Sequence, residues 1–400
     1  MFRRVNESGW WLIFICTITH VFVHVFTMMH TALIPVLMKD FSLTIYEAGL
    51  LASIPQVISI MLSLPYGFIT DRIDPRKLIA LSLLLAGLSG LSASYSWNFI
   101  TLLVSVSFIP LSSSIYHPPA LKILSENFPG QRRGKVLGIH GAGGTTGVAI
   151  GPITLGLMLE RFGWRPSYLI WCIPVLLSTL LAFTLPYRAE VKNMKNIKTV
   201  GDQTINENNS KKLALKLKNI KHGYLLLILA TGVNSLGQQA LSTYMTAYLV
   251  SVRKLSEANA SLLFGLSPFI GILGSLIGGY LGDKIGSEHW MTIAYVNTAF
   301  VYSAVWLGPS WTLTPFYLIS GFFGGSTLGP STTLVAKYSP RERRGLAYTI
   351  FMLFPSIIGS ISPLIAAWLV EEYSFAGLFP FTVTLIILSA FILQTLPKEG

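Results

Sequence analysis

The sequence predicts an all-α membrane protein, with twelve transmembrane helices in two pseudo-symmetric six-helix bundles. Three observations carry this reading. The 400 residues are 52% hydrophobic and only 12% charged, whereas a soluble domain has about 25% charged residues, so there is too little charge here to wet a globule of this size. Twelve apolar segments approach the ~20 residues of helix that cross about 30 Å of hydrocarbon. The second half also repeats the first. Gly67, Asp71 and Arg72 match Gly279, Asp283 and Lys284 at an offset of 212, while Pro119, Pro129, Arg132, Arg133, Gly134, Pro152 and Glu160 match Pro330, Pro340, Arg343, Arg344, Gly345, Pro363 and Glu371 at 211.

In chain order the predicted spans are 10–37, 45–69, 78–96, 98–124, 135–159, 165–186, 222–250, 257–281, 289–308, 312–338, 345–370 and 375–396. Arg3 and Arg4 ahead of the first run imitate a signal peptide, but the run is too long and lacks a small-residue cleavage site, so it reads as an uncleaved span. Unbroken apolar runs such as Leu78 to Leu81 exclude a β-barrel, whose strands alternate lipid-facing and lumen-facing residues. Tyr187 to Lys221 is hydrophilic and rich in Lys and Asn, and it reads as a flexible cytoplasmic linker. The predicted organisation is therefore a bundle over 1–186, a linker over 187–221 and a second bundle over 222–400.

The 29 basic residues orient the chain. With both termini cytoplasmic, 24 of them fall inside and only Lys39, Arg161, Arg165, Arg253 and Lys254 fall outside, the positive-inside pattern of a cytoplasmic-membrane protein. That sorting accounts for the net charge of +12 without nucleic acid. Trp10, Trp11, Trp97, Trp164, Trp290, Trp311 and Trp368 lie near span ends, where interfacial anchors are expected. Cys16 and Cys172 lie within spans with no paired spacing and read as apolar filler.

Parallel six-span repeats around a midplane site are a transporter architecture. The motifs add to this. Gly67-Phe-Ile-Thr-Asp71-Arg72-Ile-Asp-Pro-Arg76-Lys77 follows span 2, and its repeat is Gly279-Tyr-Leu-Gly-Asp283-Lys284-Ile-Gly286. Over essentially its whole length the chain resembles the major facilitator superfamily, whose GxLxDRxGRR/K loop these segments match, with Asp74 standing where the family has Gly. The resemblance implies that the loop latches the cytoplasmic gate, with Glu126 at the end of span 4 as a partner for Arg72. The basic residues also serve to hold the loop inside. Span 5 carries Gly138, Gly147, Gly151-Pro152 and Gly156, similar to the superfamily's antiporter signature g(x8)Gx3GPx2GG. Gly143, Gly147 and Gly151 give one smooth face for close helix packing, and Pro152 removes a helical hydrogen bond. In the second half only the proline is kept, at Ile358 and Ser362-Pro363; this one-sidedness is what the family's exporters show. Ser112-Ser-Ser-Ile-Tyr116-His117-Pro118-Pro119, with Thr19-His20 and Pro35 in span 1, resembles the fosmidomycin-resistance branch, though His24 replaces the acidic or amide residue usual there.

No Asp or Glu lies deep in a span; the deep ionisable groups are His20, His24, His117 and His140. Thr17, His20, His24, Thr27 and Thr31 form a stripe about 80° wide on span 1 at 3.6 residues per turn. His30 falls about 100° away and is expected at an interface. Span 4 offers Pro110, Ser113, Ser114 and His117, span 7 Thr231, Asn234, Gln238 and Ser242, span 10 Thr327 and Ser331, and span 2 the weaker candidate Gln56. The resemblance implies that spans 1, 4, 7 and 10 line a central cavity. His20, His24, Thr27, Ser113, Ser114, His117, Asn234, Gln238, Thr327 and Ser331 are then the expected substrate- and proton-binding set. Histidine titrates near neutrality, so His20, His24 or His117 either carries the transported proton or serves as a neutral hydrogen-bonding group. The expected gating set is Gly67, Asp71, Arg72, Glu126, Gly279, Asp283 and Lys284. No nucleotide loop, catalytic pair or metal-ligand spacing is visible, so no cofactor, metal or enzyme activity is expected. The predicted function is alternating-access transport by a monomer in the lipid bilayer, most simply proton-coupled efflux of a small organic compound. A facilitator, an uptake symporter and a non-transporting receptor on the same fold stay open.

Overall fold

The computed structural model describes residues 7–70, 73–128, 131–185, 222–339 and 344–397. Among them there is no strand, and each predicted span is helical. Span 1 is Glu7–His24 continued by the short helices Met29–Ala32 and Ile34–Asp40. Spans 2 to 6 are Ile45–Thr70, Pro75–Ser94, Phe99–Asn127, Gln131–Phe162 and Trp164–Ala182. Spans 7 to 9 are His222–Ser251, Glu257–Ile285 and Ser287–Leu307. Span 10 is split into Ser310–Ser326 and Leu328–Tyr338, and Arg344–Gln394 carries spans 11 and 12, which hinge at Ser374 with φ 54°. The linker expected over 187–221 lies outside the described residues, as do Asp71 and Arg72.

By length and hydropathy, eight helical windows among the described residues are able to cross a membrane, the last of them holding spans 11 and 12 together. Spans 7 and 9 fall short in hydropathy, and span 10 in length, because the break at Thr327 splits it into helices of 17 and 11 residues. The lipid-facing surface is apolar, as with Leu157, Ile173, Leu276 and Phe391, which are all exposed.

Spans 1 and 10 each break beside a proline, at Leu33 and Thr327, and span 1 has a further turn over 25–28. Proline has no N–H, so Pro35 frees the carbonyl of Thr31 and Pro330 that of Ser326. A buried carbonyl without a donor costs about 1–3 kcal/mol. Thr246 Oγ1 of the opposite half donates to Thr31 O at 3.2 Å, and Trp290 Nε1 donates to Ser326 O at 3.1 Å. Trp290 is therefore buried, and so is Trp164, whose indole N–H donates to Asp40 at 2.7 Å. These two are not the interfacial anchors expected from their place in the sequence: the Trp290 indole is buried against the Ser326 carbonyl, and that of Trp164 against the exposed Asp40 at the far end. Trp97 and Trp311, by contrast, are 76% exposed, as anchors should be.

The two ends of the molecule differ. At the face opposite the termini, the halves are tied together. Tyr244 donates to Ile45 O at 2.8 Å, Ser261 to Ala32 O at 3.2 Å and Ser256 to Glu160 at 3.1 Å. Gly156 of span 5 abuts Ala258 and Leu262 of span 8, and Gly265 of span 8 abuts Ala149 and Ile153 of span 5. Toward the termini, Gly138 and Gly141 on span 5 and Gly279 on span 8 each face open space. The bundle is closed at the far face and open at the terminal face.

Candidate functional site

Four histidines predicted to lie deep in the first half meet in one place. Span 1 runs against the glycine face of span 5. A side chain at Gly147 would collide with the Val21 carbonyl and one at Gly151 with the Val25 carbonyl, so only glycine permits this backbone approach. That contact sets His20 on Gly144 and stacks its ring on His140, with centroids 4.1 Å apart. Span 4 closes the other side: Tyr116 stacks on His20 at 5.3 Å, and His117 meets its edge at 5.0 Å.

The hydrogen bonds fix the protons. His20 Nδ1 lies 2.6 Å from the His140 carbonyl, and His140 Nδ1 lies 3.1 Å from the Cys16 carbonyl. A carbonyl only accepts, so both Nδ1 atoms carry hydrogen and each Nε2 is left with a lone pair in the neutral ring. Both Nε2 atoms are buried without a partner. The Tyr116 hydroxyl also donates to the Cys16 carbonyl, at 2.6 Å, and lies 2.8 Å from Thr19 Oγ1. His24 and His117 face each other Nε2 to Nε2 at 3.3 Å, and His24 Nδ1 is 3.2 Å from Thr27 Oγ1. Between two facing imidazole nitrogens, one proton can be shared. The helical stretch of span 1 ends at His24, so the cluster sits at the unwound break, where irregular backbone at membrane depth is tolerated because it lines a cavity or is buried in protein.

That cavity, about 190 Å³, lies between the halves beside the break. Thr27, His30 and Thr31 of span 1, Gln56 of span 2, Pro110 of span 4, Ser235 and Gln239 of span 7, and Ser356 and Ser360 of span 11 are among its lining residues. His30 is buried there, not at a membrane interface. A helical wheel drawn from His20 to His30 assumes an unbroken helix, and the turn after His24 invalidates it. Ser114 pairs with Ser59 at 2.7 Å and donates to Pro110 O at 3.1 Å, while Ser113 stays half-buried on the same helix. Asn234 and Gln238 are not among the cavity's lining residues; their neighbours Ser235 and Gln239 are. The oxygens of Asn234 and Gln238 are buried without a donor. Thr327 Oγ1 donates to Gly324 O and Ser331 Oγ to Leu328 O, each at 2.9 Å, so both hydroxyls serve the break in span 10.

Among the gate residues, Glu126, Asp283 and Lys284 are exposed at the open end. Two polar contacts there were not expected from sequence. Lys337 at the end of span 10 pairs with Glu288 at the start of span 9, at 3.2 Å. Asp74 caps span 3, accepting from Arg76 N at 2.9 Å and pairing with its guanidinium at 2.7 Å. Partial burial raises the Asp74 carboxyl, but the hydrogen bonds and charge of Arg76, with Lys77 behind, outweigh that and hold it below the usual carboxylate range. A carboxylate in place of the family's glycine thus does the work of an N-cap.

Sequence reasoning also left out Ser235, Gln239, Ser356 and Ser360, and named Thr19 only within a motif. Ser356 and Ser360 are spaced i, i+4 on span 11, a polar stripe that was available to be read.

Comparisons with known proteins bear on the family and the fold. The cis,cis-muconate transport protein of Acinetobacter baylyi is 24% identical over 77% of this chain and 75% of its own length. The fosmidomycin resistance protein of Escherichia coli is 26% identical over 73% and 71%. The crystal structure of a D-xylose-proton symporter superposes with a TM-score of 0.78 at 14% identity, covering 98% of this chain and 99% of that one, a likeness of fold. The model of the Major Facilitator Superfamily matches residues 16–307 and again 227–399. With two six-span repeats, a cavity between them and one end closed, the chain belongs to the Major Facilitator Superfamily and is a multi-pass membrane transporter.

Proposed function

We propose that this transporter exports a small organic compound across the cytoplasmic membrane in exchange for protons, by alternating access, with both termini cytoplasmic. The observation that carries the reading is the histidine cluster at the break of span 1. No carboxylate lies deep in a span, and the cluster reaches the central cavity through Thr27, with His30 the ionisable group among the cavity's own lining residues. His24 and His117 then take up and release the proton, and His20, positioned by His140, holds the pair in register. Thr27 links His24 to the cavity, so a proton on the pair and a cargo in the cavity sense each other across one hydroxyl. Opposite it, Ser235, Gln239, Ser356 and Ser360 offer hydrogen bonds to the cargo without fixed charge.

Efflux is supported by the one-sided glycine face of span 5, which packs on span 1 within its own half and on span 8 across the halves. Such a surface lets one bundle rock against the other. The gate role of Asp71, Arg72 and Asp283 rests on the motif alone. The absence of a carboxylate partner for the histidines favours a second reading, transport down a gradient without proton coupling.

Proteoliposome flux with and without a pH gradient separates the two. Cis,cis-muconate and fosmidomycin are the first probes, taken from the relatives. The reading expects gradient-driven uptake into inverted vesicles for at least one of them; flux indifferent to the gradient removes proton coupling.

A further inference from the structure

We infer that His20, His24 and His117 form a binding site for a divalent transition-metal ion of the zinc class. One ring nitrogen from each lies within 4.8 Å of the others. Tetrahedral zinc with Zn–N bonds of about 2.0–2.1 Å holds its nitrogens roughly 3.3–3.4 Å apart. His24 Nε2 and His117 Nε2 already stand at 3.3 Å, one edge of that tetrahedron. The third ligand is His20 Nε2, which is buried and has no hydrogen-bond partner, because Nδ1 is committed to the His140 carbonyl.

The surroundings are those of a metal site and not only of a proton site. Metal-bound imidazoles use their other ring nitrogen to hold orientation. Here His20 Nδ1 donates to a backbone carbonyl at 2.6 Å, and His24 Nδ1 pairs with Thr27 Oγ1 at 3.2 Å. Three neutral nitrogen donors select zinc, copper, nickel or cobalt over magnesium and calcium, which prefer oxygen. The remaining titratable groups around the cluster are His140, Tyr116 and Cys16, and none is a carboxylate. His20 is buried whereas His24 and His117 are partly open. The approach is therefore from their side, where Thr27 connects to the cavity. The sequence places His20 and His24 at i, i+4 on span 1, but His117 lies 93 positions away from His24 and is brought in only by the fold.

The inference does not depend on proton-coupled export. Untagged wild-type protein in detergent, titrated with Zn²⁺ by calorimetry and with Co²⁺ by visible absorption, tests it. The expected result is one ion per chain, with the intense bands of tetrahedral Co²⁺, and affinity that falls as the pH is lowered because protons compete for the nitrogens. His24→Gln and His117→Gln should each weaken Zn²⁺ binding tenfold or more, while His289→Gln, at an exposed position, leaves it unchanged. Absence of Zn²⁺ binding by the wild type, octahedral Co²⁺ bands, or unchanged affinity in a His20/His24/His117 triple Gln variant that unfolds at the wild-type temperature would each overturn it. Gradient-driven flux measured in the presence of a chelator reports separately on export.

Discussion

The two halves share one fold and differ in what they bury. At the 211-residue offset, His20 and His24 correspond to Thr231 and Ser235, His117 to Leu328 and His140 to Phe351. The first half thus builds a stacked histidine cluster behind its broken span, and the second half fills the same places with hydroxyls and apolar side chains. The glycine face is equally one-sided. Gly147 and Gly151 seat span 5 on span 1 by backbone contact, whereas at the matching positions span 11 meets span 7 through side chains, Ile358 and Ser362, with Ser362 donating to Leu236 O at 2.5 Å. Duplication kept the scaffold, and titratable chemistry was left to one copy. The second copy supplies a neutral hydrogen-bonding wall and the surface that closes the far face.

The largest expected effect breaks the packing side of that comparison. Gly151→Leu drives a side chain into the Val25 carbonyl and should destabilise the protein by about 3 kcal/mol, enough to prevent a monodisperse peak on size exclusion. Ile358→Leu, at the position matching Gly147, is a volume-conserving swap expected to cost less than about 1.5 kcal/mol in thermal unfolding. Equal loss in both would show that the halves pack alike.

Next comes the chemistry. His24→Ala and His117→Ala should each reduce gradient-driven flux roughly tenfold, whereas Ser235→Ala, the match of His24 in the second half, changes cargo affinity and leaves the gradient dependence intact. A Ser235 variant that lost the gradient dependence would move coupling to the second half.

A smaller effect is expected from the ties at the far face. Thr246→Val and Ser261→Ala each remove one cross-half hydrogen bond, worth about 1 kcal/mol, and leave the Thr31 or Ala32 carbonyl short of a donor. Both should raise labelling of a cysteine placed at the far face, read with a membrane-impermeant maleimide. The native Cys16 and Cys172 are buried and should contribute little background.

The smallest effect concerns Asp74. Its folded carboxyl is held below the ordinary value, so its stabilising contribution is present above the unfolded carboxylate pKa of about 3.9 and is lost as pH falls through the lower folded value. Thermal unfolding of Asp74→Asn should trail the wild type at neutral pH, and the gap should narrow below about pH 4. A gap that widens in acid contradicts the ion pair with Arg76.

Hydropathy and the repeat made the twelve spans legible, because lipid demands long apolar helices and duplication copies prolines and glycines in register. Helix periodicity also placed His20 and His24 on one face. What it missed has two physical sources. The turn after His24 in span 1 and the proline break in span 10 reset the rotation there, so His30 turned up in the cavity and Thr327 at a helix break. Long-range contacts, such as His140 beneath His20 or Trp290 under Ser326, depend on which helices become neighbours, and no local pattern encodes that. For span 7, the polar face was found, but its orientation was off by one residue, with Ser235 and Gln239 lining the cavity in place of Asn234 and Gln238.

The central claim is that the histidine cluster of the first half drives the alternation of the whole molecule. Its most direct test needs no cargo. Spin labels at Arg133 and Lys284, exposed on spans 5 and 8 at the open end, report the separation of the halves by pulsed dipolar spectroscopy as pH is varied across the range where imidazole titrates, about 5 to 8. The account predicts two distance populations whose ratio shifts with pH in the wild type and is fixed in a His24→Ala/His117→Ala variant. A distribution that ignores pH, or that shifts identically in the variant, would contradict it.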